Sequence, residues 1–304
     1  MMNGIINVLK PPGMTSHDVV NFIRRETGIK KVGHTGTLDP EAAGVLPICI
    51  GKSTKAVQYI TEKRKKYRAN IKFGISTDTQ DKYGKVTKQT VVPDLDIVTI
   101  NGLLENFKGK ILQTPPIYSA IKQNGKKLYQ YAIEGQNVDI KSRYIEIYNI
   151  TIVDKLARDE FMLDISCSKG TYIRTLCHDI GEKSGYGAHM SQLIRLESSP
   201  FRIEDANTLE EIRNAVKEGE LCNLIYKPDL LFHELHRINV KKSAEKSAIN
   251  GNPIFSPGLE DDIEVYEAGT MVRLYIDDDF IALGNIELDN LYNKNYVRVK
   301  TLFT

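Results

Sequence analysis

The sequence predicts an α+β protein: a central, largely antiparallel mixed sheet flanked by helices and loops, followed by a small β-rich module. Three observations carry this. Strand-like and helix-like patterns are intermixed along the first 235 residues without the regular βαβ alternation of a parallel sheet. Closely spaced strand-length runs fill the last 65 residues or so. At 304 residues, 41% hydrophobic and 26% charged, the chain is long enough for a sizeable core and has ordinary soluble composition.

Gly4-Ile5-Ile6-Asn7-Val8-Leu9 reads as a strand, and Lys10-Pro11-Pro12-Gly13 as a turn. Thr15 or Ser16 then caps a helix to about Thr27, with Val19, Val20 and Ile23 on its apolar side and Gly28 as its stop. Gly33 to Pro40 is a loop in which Gly33 and Gly36 permit unusual dihedrals and Pro40 biases Asp39 away from helix. Val45–Ile50 is a strand, and Ser53 is expected to cap a helix through about Thr61. Tyr67, Ala69, Ile71 and Phe73 alternate onto one face of the next strand. A polar loop, Asp78 to Gly84, leads to a strand at about Lys85–Val92.

Helical patterns follow at Ile97–Phe107 and Lys126–Glu134, separated by a Pro-rich bend, Gln113–Ala120, that enters a short strand. Ile145–Val153 and Phe161–Cys167 are paired strands. Thr171–Lys183 starts extended and becomes helical, His189–Leu196 is a strand, and Thr208–Lys217 a helix. A boundary falls near 233–240. Beyond it come a short helix, Lys241–Asn250, and strands at Ile263–Tyr266, Met271–Tyr275, Phe280–Glu287 and Tyr296–Val299.

No apolar run approaches the roughly 20 residues of a membrane helix, and the first residues lack a signal-peptide layout, so a cytoplasmic protein is expected. Cys49, Cys167, Cys177 and Cys222 form no CxxC pair, which argues against a zinc site and leaves the first three as small core hydrophobes. Net charge is +2, but residues 241–304 carry 7 basic and 11 acidic side chains, while residues 1–240 carry 34 and 28. Eight cations between Lys52 and Lys72 (Lys52, Lys55, Lys63, Arg64, Lys65, Lys66, Arg68, Lys72) are opposed only by Glu62. Such a block reads equally as a solvated face or as a track for a polyanion.

The most informative segment is Gly33-His34-Thr35-Gly36-Thr37-Leu38-Asp39-Pro40, which sets one carboxylate on a Gly-rich loop beside an apolar strand. On local pattern alone it is an ordinary turn or a candidate active site. With Gly44-Val45-Leu46-Pro47-Ile48 after it, it resembles the catalytic motif of the TruB-type tRNA pseudouridine synthases. Further segments resemble that family in its order: Lys10-Pro11-Pro12-Gly13-Met14-Thr15-Ser16, Lys66-Tyr67-Arg68-Ala69, Ser168-Lys169-Gly170-Thr171-Tyr172-Ile173-Arg174, and Gly187-Ala188-His189 leading to Leu193 and Arg195. The resemblance covers residues 3–230. The chain departs from it at Pro40-Glu41-Ala42-Ala43-Gly44, which adds a surface charge, and at Ile194, which stands where the family pattern has an arginine, leaves Arg195 and loses one possible phosphate contact.

The resemblance implies a pseudouridine synthase catalytic domain over 1–235 and a PUA-like RNA-binding domain over 236–304. The implied reaction isomerises uridine 55 in the T-arm loop of tRNA, with base flipping and Asp39 as the catalytic carboxylate. Arg174 is implied to pair with Asp39 and keep it ionised. An extended run from Tyr172 would send Tyr172 and Arg174 to the same side. Tyr67 is the implied stacking platform, with the alternative of a half-buried strand tyrosine. Tyr172 and Leu193 line the pocket, and Asp81 makes a second contact to Arg174, with a turn role as its alternative. His34 contacts RNA rather than acting as a base, and Lys10 supports the loop. Lys55, Lys63, Arg64, Lys65, Lys66 and Arg68 follow the RNA backbone. An isomerisation moves no electrons to an acceptor, so no cofactor and no metal are expected. The partner is the tRNA T-arm stem–loop; no membrane contact and no obligatory protein partner are expected of a monomer. Alternative readings are a non-catalytic RNA-binding or tRNA-folding chaperone on the same scaffold, a guide-RNA-dependent synthase, or a two-carboxylate glycosidase using Asp39 and Asp81.

Overall fold

The computed structural model describes residues 2–136 and 138–304. Its first strand, β1 (Gly4–Lys10), leads into α1 (Ser16–Thr27). The helix starts where it does because Thr15 and Asp18 cap one another: Thr15 Oγ1 accepts from the Asp18 N–H at 3.1 Å, and Asp18 Oδ2 accepts from the Thr15 N–H at 2.9 Å. It stops at Gly28, left-handed at φ 69°. Its buried face is Val19, Val20, Phe22 and Ile23.

The chain then forms β2 (Val32–His34), β3 (Ala43–Ile50), α2 (Val57–Glu62), β4 (Lys65–Phe73), β5 (Ile75–Thr77) and β6 (Val86–Gln89). Next come α3 (Ile97–Leu104), β7 (Gly109–Gln113), a two-stranded ribbon of β8 (Lys122–Gln123) and β9 (Lys126–Lys127), α4 (Leu128–Ile133), β10 (Arg143–Ala157) and β11 (Glu160–Cys167). The remainder of the large body is α5 (Ile173–Ser184), β12 (Ala188–Ser198), β13 (Phe201–Arg202), α6 (Leu209–Glu218) and β14 (Ile225–Tyr226).

Ten of these strands make one sheet, in the order β14-β1-β3-β12-β4-β11-β10-β7, with β13 on β12 and β2 on β3. Every pairing is antiparallel except β3 with β12. In this register Gly44, Arg195 and Tyr67 form one row across the three central strands. One face packs Ala69, Ile71, Phe73, Phe161, Leu163 and Ile165 against α5 and α3; the other packs Ile6, Val8, Leu46 and Ile48 against α1.

A five-stranded sheet closes the chain: β15 (His236–Asn239), β17 (Met271–Ile276), β18 (Asp279–Asp289), β19 (Lys294–Leu302) and β16 (Ile254–Phe255), with α7 (Glu245–Ile249) before β16. It has its own apolar core around Ile238, Leu274, Ile286 and Val297. A further cluster joins it to the large body, where Phe280, Leu283 and Phe303 meet Ile5, Ile60 and Phe232.

Several expected elements differ. Ser53 caps nothing: residues Gly51–Ala56 form a 3-10 turn in which the Ser53 hydroxyl is buried without a partner, and α2 begins only at Val57. Gln113–Ala120 holds the end of β7 and a bend but no new strand, because two consecutive prolines lack the N–H groups a ladder needs. Ile263–Tyr266 is a turn rather than a strand; the buried Ile263 mimics a strand's apolar pattern. Gly33 is an ordinary extended residue of β2, so the loop proper starts at Thr35.

Gly44 is a glycine the sheet cannot replace. Its φ is 114°, and a Cβ there would overlap the Arg195 backbone where β3 and β12 meet. Gly44→Ala is therefore expected to destabilise the protein by about 3 kcal/mol, through strain and displaced strands together. A urea-denaturation midpoint equal to that of the unsubstituted chain would contradict this.

Candidate active site

Asp39 lies on the loop between β2 and β3, and buried groups pin that loop on every side. Lys10, 0% exposed, points its Nζ at three backbone carbonyls: Pro11 at 2.9 Å, Met14 at 2.6 Å and Pro40 at 2.8 Å. Ser16 Oγ accepts from the Leu38 N–H at 2.9 Å. Arg195, 1% exposed, donates through Nε to Val45 O at 2.7 Å and through Nη2 to Gly36 O at 3.2 Å. Leu38 and Ala42 plug into the core on either side. The carboxylate itself remains partly open, with 38% of its side-chain surface exposed. The loop is thus rigid, and it carries two carboxylates: Glu41, which is exposed, and Asp39, which is partly sheltered against Arg174.

Arg174 comes to this acid from α5. Its Nη2 donates to Asp39 Oδ1 at 3.2 Å, and its Nε lies 3.0 Å from Oδ2. The same guanidinium donates to Tyr118 O at 2.9 Å and Thr79 O at 3.1 Å, and its Nη1 lies 3.7 Å from Asp81 Oδ2. Only 6% of the Arg174 side chain is exposed. Arg174 reaches the site from the first turn of a helix, not from an extended run: Tyr172 is the last extended residue, at φ −97° and ψ 111°, and α5 begins at Ile173. Tyr172 and Arg174 are therefore not alternating residues of one strand. What fixes Tyr172 is Gln113, whose side chain brackets its backbone with bonds of 3.0 and 2.9 Å, and the Arg143 guanidinium, 5.3 Å above its ring.

The electrostatics follow from this geometry. Burial pushes the Asp39 carboxyl above its ordinary range, the Arg174 cation pulls it back, Asp81 pushes it up and Lys10 pulls it down; the balance stays raised. His34, half-buried at the end of β2, has its pKa lowered by burial and by Arg195, which favours the neutral ring; its Nδ1 accepts a long bond from the Gly36 N–H at 3.4 Å. Burial lowers Lys10 to about 8, although Glu41 and Asp39 pull the other way. Tyr67 is half-buried on β4, and Leu193, 7% exposed on β12, shares its apolar cluster with Leu38 and Ile173. Burial raises the Tyr67 phenol. Asp81 accepts from the Thr79 hydroxyl at 2.6 Å and the Tyr83 N–H at 3.0 Å, so it serves the turn and faces Arg174 at once. Among the described residues, no group of three or more His, Cys, Asp or Glu side chains is placed to hold a metal ion.

Lys10 yields a test. Removing its ammonium leaves three carbonyls without their donor and an uncapped cavity where a fully buried side chain sat, so Lys10→Met is expected to lose about 3 kcal/mol at pH 7. Its folded pKa, about 8, is below the unfolded 10.5. Between those values the unfolded chain binds the extra proton, and this group's contribution to stability rises with pH. Lys65, lowered to about 8 as well, adds a rise of its own over the same range, so denaturation midpoints at pH 7.5 and 10 should differ by less in Lys10→Met than in the unsubstituted chain; the same difference in both would contradict the assignment.

The basic block is not one continuous cationic surface. Lys65 is 5% exposed and donates to the carbonyls of Ile60, Thr61 and Lys63, closing the C-terminal end of α2; it cannot touch RNA. The others are not opposed by Glu62 alone. Lys63 pairs with Glu234 at 3.0 Å, Arg64 with Glu197 at 3.3 Å, and Lys66 and Arg68 with Asp164 at 3.1 and 2.7 Å. Lys55 is exposed. Pairs at this exposure contribute little to stability and can exchange carboxylate for phosphate. Arg195, the arginine that the family pattern leaves beside Ile194, is a buried brace of the loop. Sequence reasoning missed Gln113 and the carbonyls of Thr79 and Tyr118; backbone acceptors leave no residue-type signal.

Solved structures share this architecture. A chain in the structure of an H/ACA RNP bound to a substrate RNA containing 2'-deoxyuridine superposes with a TM-score of 0.72 at 26% identity, covering 99% of this chain and 85% of that one. A chain of a Cbf5-Nop10-Gar1 complex gives 0.72 at 28% identity, with the same coverage. The mixed sheet carrying a loop-borne aspartate against a buried arginine is the pseudouridine synthase fold. The model of the TruB family pseudouridylate synthase N-terminal domain matches residues 24–173, and that of the tRNA pseudouridylate synthase B C-terminal domain matches residues 174–228. The tRNA pseudouridine synthase B of Alkaliphilus oremlandii is 43% identical over 304 residues, covering 99% of this chain and 98% of that protein. That of Bacillus licheniformis is 42% identical over 287 residues, covering 90% and 93%. This chain belongs to the TruB family of pseudouridylate synthases.

Proposed function

We propose that this protein converts uridine to pseudouridine in tRNA, at position 55 of the T-arm loop, acting as a monomer in the cytoplasm without an obligatory protein partner. The reaction breaks the bond from ribose C1′ to uracil N1, forms one from C1′ to C5, moves the C5 proton to solvent and protonates N1. Nothing is oxidised or reduced. The uracil is everted into the cleft, stacked on Tyr67 and walled by Leu193 and Tyr172. Asp39 acts as the catalytic carboxylate, Arg174 holds it ionised, and Asp81 holds Arg174. His34 meets the RNA in its neutral form, and Lys10 fixes the loop. Lys55, Lys63, Arg64, Lys66 and Arg68 follow the RNA backbone. The catalytic domain spans 1–235, and 236–304 is a PUA-like RNA-binding domain.

The observation that carries this reading is the Asp39–Arg174 pair: one partly open carboxylate on a rigid loop, gripped from behind by a buried cation. A glycosidase would use two open carboxyls, but Asp81 sits behind the arginine with only 15% of its side chain exposed. The test is purified protein alone with an unmodified T-arm stem–loop. Pseudouridine at the single target uridine is expected. Conversion only when a guide RNA and further subunits are added would favour the guide-dependent alternative, and binding without conversion would favour the chaperone.

A further inference from the structure

We infer that Gln80 and Thr175 form a clip that positions Arg174 against Asp39, making both positioning residues for the reaction; this rests on the function proposed above. Gln80 lies in the turn between β5 and β6 with φ 63°, a left-handed conformation unusual for a side chain of its kind. Bonds hold it there on three sides. Its N–H donates to Thr77 O at 3.1 Å, its carbonyl accepts from the Met190 N–H of β12 at 3.1 Å, and its Oε1 accepts from the Thr175 hydroxyl at 2.7 Å.

The neighbours of these two residues give the clip its meaning. Thr175, 2% exposed, directly follows Arg174 in α5. Gln80 is flanked by the two groups that receive the arginine from behind: Thr79, whose carbonyl accepts from Nη1, and Asp81, whose carboxylate lies 3.7 Å from it. The left-handed bend at Gln80 turns both toward the same guanidinium. The result is a closed circuit, from the Thr175 hydroxyl to Gln80, through the turn to Thr79 and Asp81, and back to Arg174. A threonine in the first turn of a helix commonly bonds its own backbone; this one bonds across to the turn instead. An open cleft of about 520 Å³ borders Gln80 and Thr175, so water can fill the space left by a shortened side chain, and truncated variants are expected to fold.

Three variants test the clip. Thr175→Val removes the hydroxyl at constant shape, Gln80→Asn keeps tolerance of the left-handed conformation but is too short to reach, and Thr175→Ser restores the donor. The primary readout is the titration of the Asp39 carboxyl in the free protein, followed by carbon-13 NMR. The charged groups facing it are Arg174 from α5, Asp81 from the β5–β6 turn and Lys10 from β1. A loosened Arg174 should move the Asp39 midpoint up by about half a pH unit in Thr175→Val and in Gln80→Asn, with no further move in the double variant and recovery in Thr175→Ser. Turnover on the stem–loop should fall about tenfold with KM unchanged. An Asp39 titration unchanged in Thr175→Val overturns the clip, whatever the activity. A shifted titration in a protein whose unsubstituted form makes no pseudouridine supports the clip and sinks the functional reading instead.

Discussion

Asp39→Asn lowers pseudouridine formation by about four orders of magnitude while leaving stem–loop affinity within about threefold. The size follows from removing the one group that does the chemistry, where residual rate comes only from binding and the surrounding dipoles. Affinity survives because Asn fills the same volume and still offers an oxygen to Arg174, and because contacts to an RNA backbone lie elsewhere. Stability survives as well. Burial raises the Asp39 carboxyl, so its proton is held more tightly in the folded state than in the unfolded one. That contribution favours folding at low pH and is lost as pH rises through the raised folded value, so at pH 7 ionised Asp39 is a net cost that Asn removes. Single-turnover product analysis by nucleoside chromatography, beside thermal unfolding and binding, checks all three. Activity within tenfold of the unsubstituted enzyme would remove Asp39 from the mechanism.

Arg174→Gln should cut turnover by about 10²- to 10³-fold and change the shape of its pH dependence. The guanidinium holds Asp39, Asp81 and the carbonyls of Thr79 and Tyr118 together. Without it, two carboxylates share a cleft with less compensation, and the fold loses about 3 kcal/mol. The sign of the pH effect is fixed by its cause. Arg174 lowers the Asp39 pKa, and the ionised acid is the active form; removing the cation moves the acid limb of kcat toward higher pH by about one unit. Measurements below the variant's unfolding temperature separate this from lost stability. A variant of low activity whose acid limb has not moved would mean that Arg174 acts on RNA rather than on Asp39.

The parts of this protein that local rules govern were legible in the residues. Thr15, Asp18 and Gly28 delimit α1 because capping is decided within a few positions. The alternation from Tyr67 to Phe73 names a strand face because one side of β4 packs on a core. Asp39 was visible because a charged residue on a Gly-rich loop beside an apolar run is a local pattern. What was illegible depends on meetings across the chain. Lys65 reads as one more cation in a basic run, and only the fold turns it inward onto the carbonyls that end α2. Asp164, Glu197 and Glu234 are about a hundred residues or more from the cations they neutralise. Arg195 is one motif residue among several in the sequence; the row it shares with Gly44 and Tyr67 exists only once β3, β12 and β4 pair. Tyr172 and Arg174 were assigned to one side by strand alternation, whereas the helix begins between them.

The most direct test of the central claim is a structure of the protein bound to an RNA stem–loop carrying the target uridine. That nucleotide is expected out of the helical stack, with its uracil against Tyr67 and an Asp39 carboxylate oxygen within about 3.5 Å of the ribose or base atoms that react. A target still stacked in the RNA, or everted into a pocket that Asp39 does not face, would contradict it.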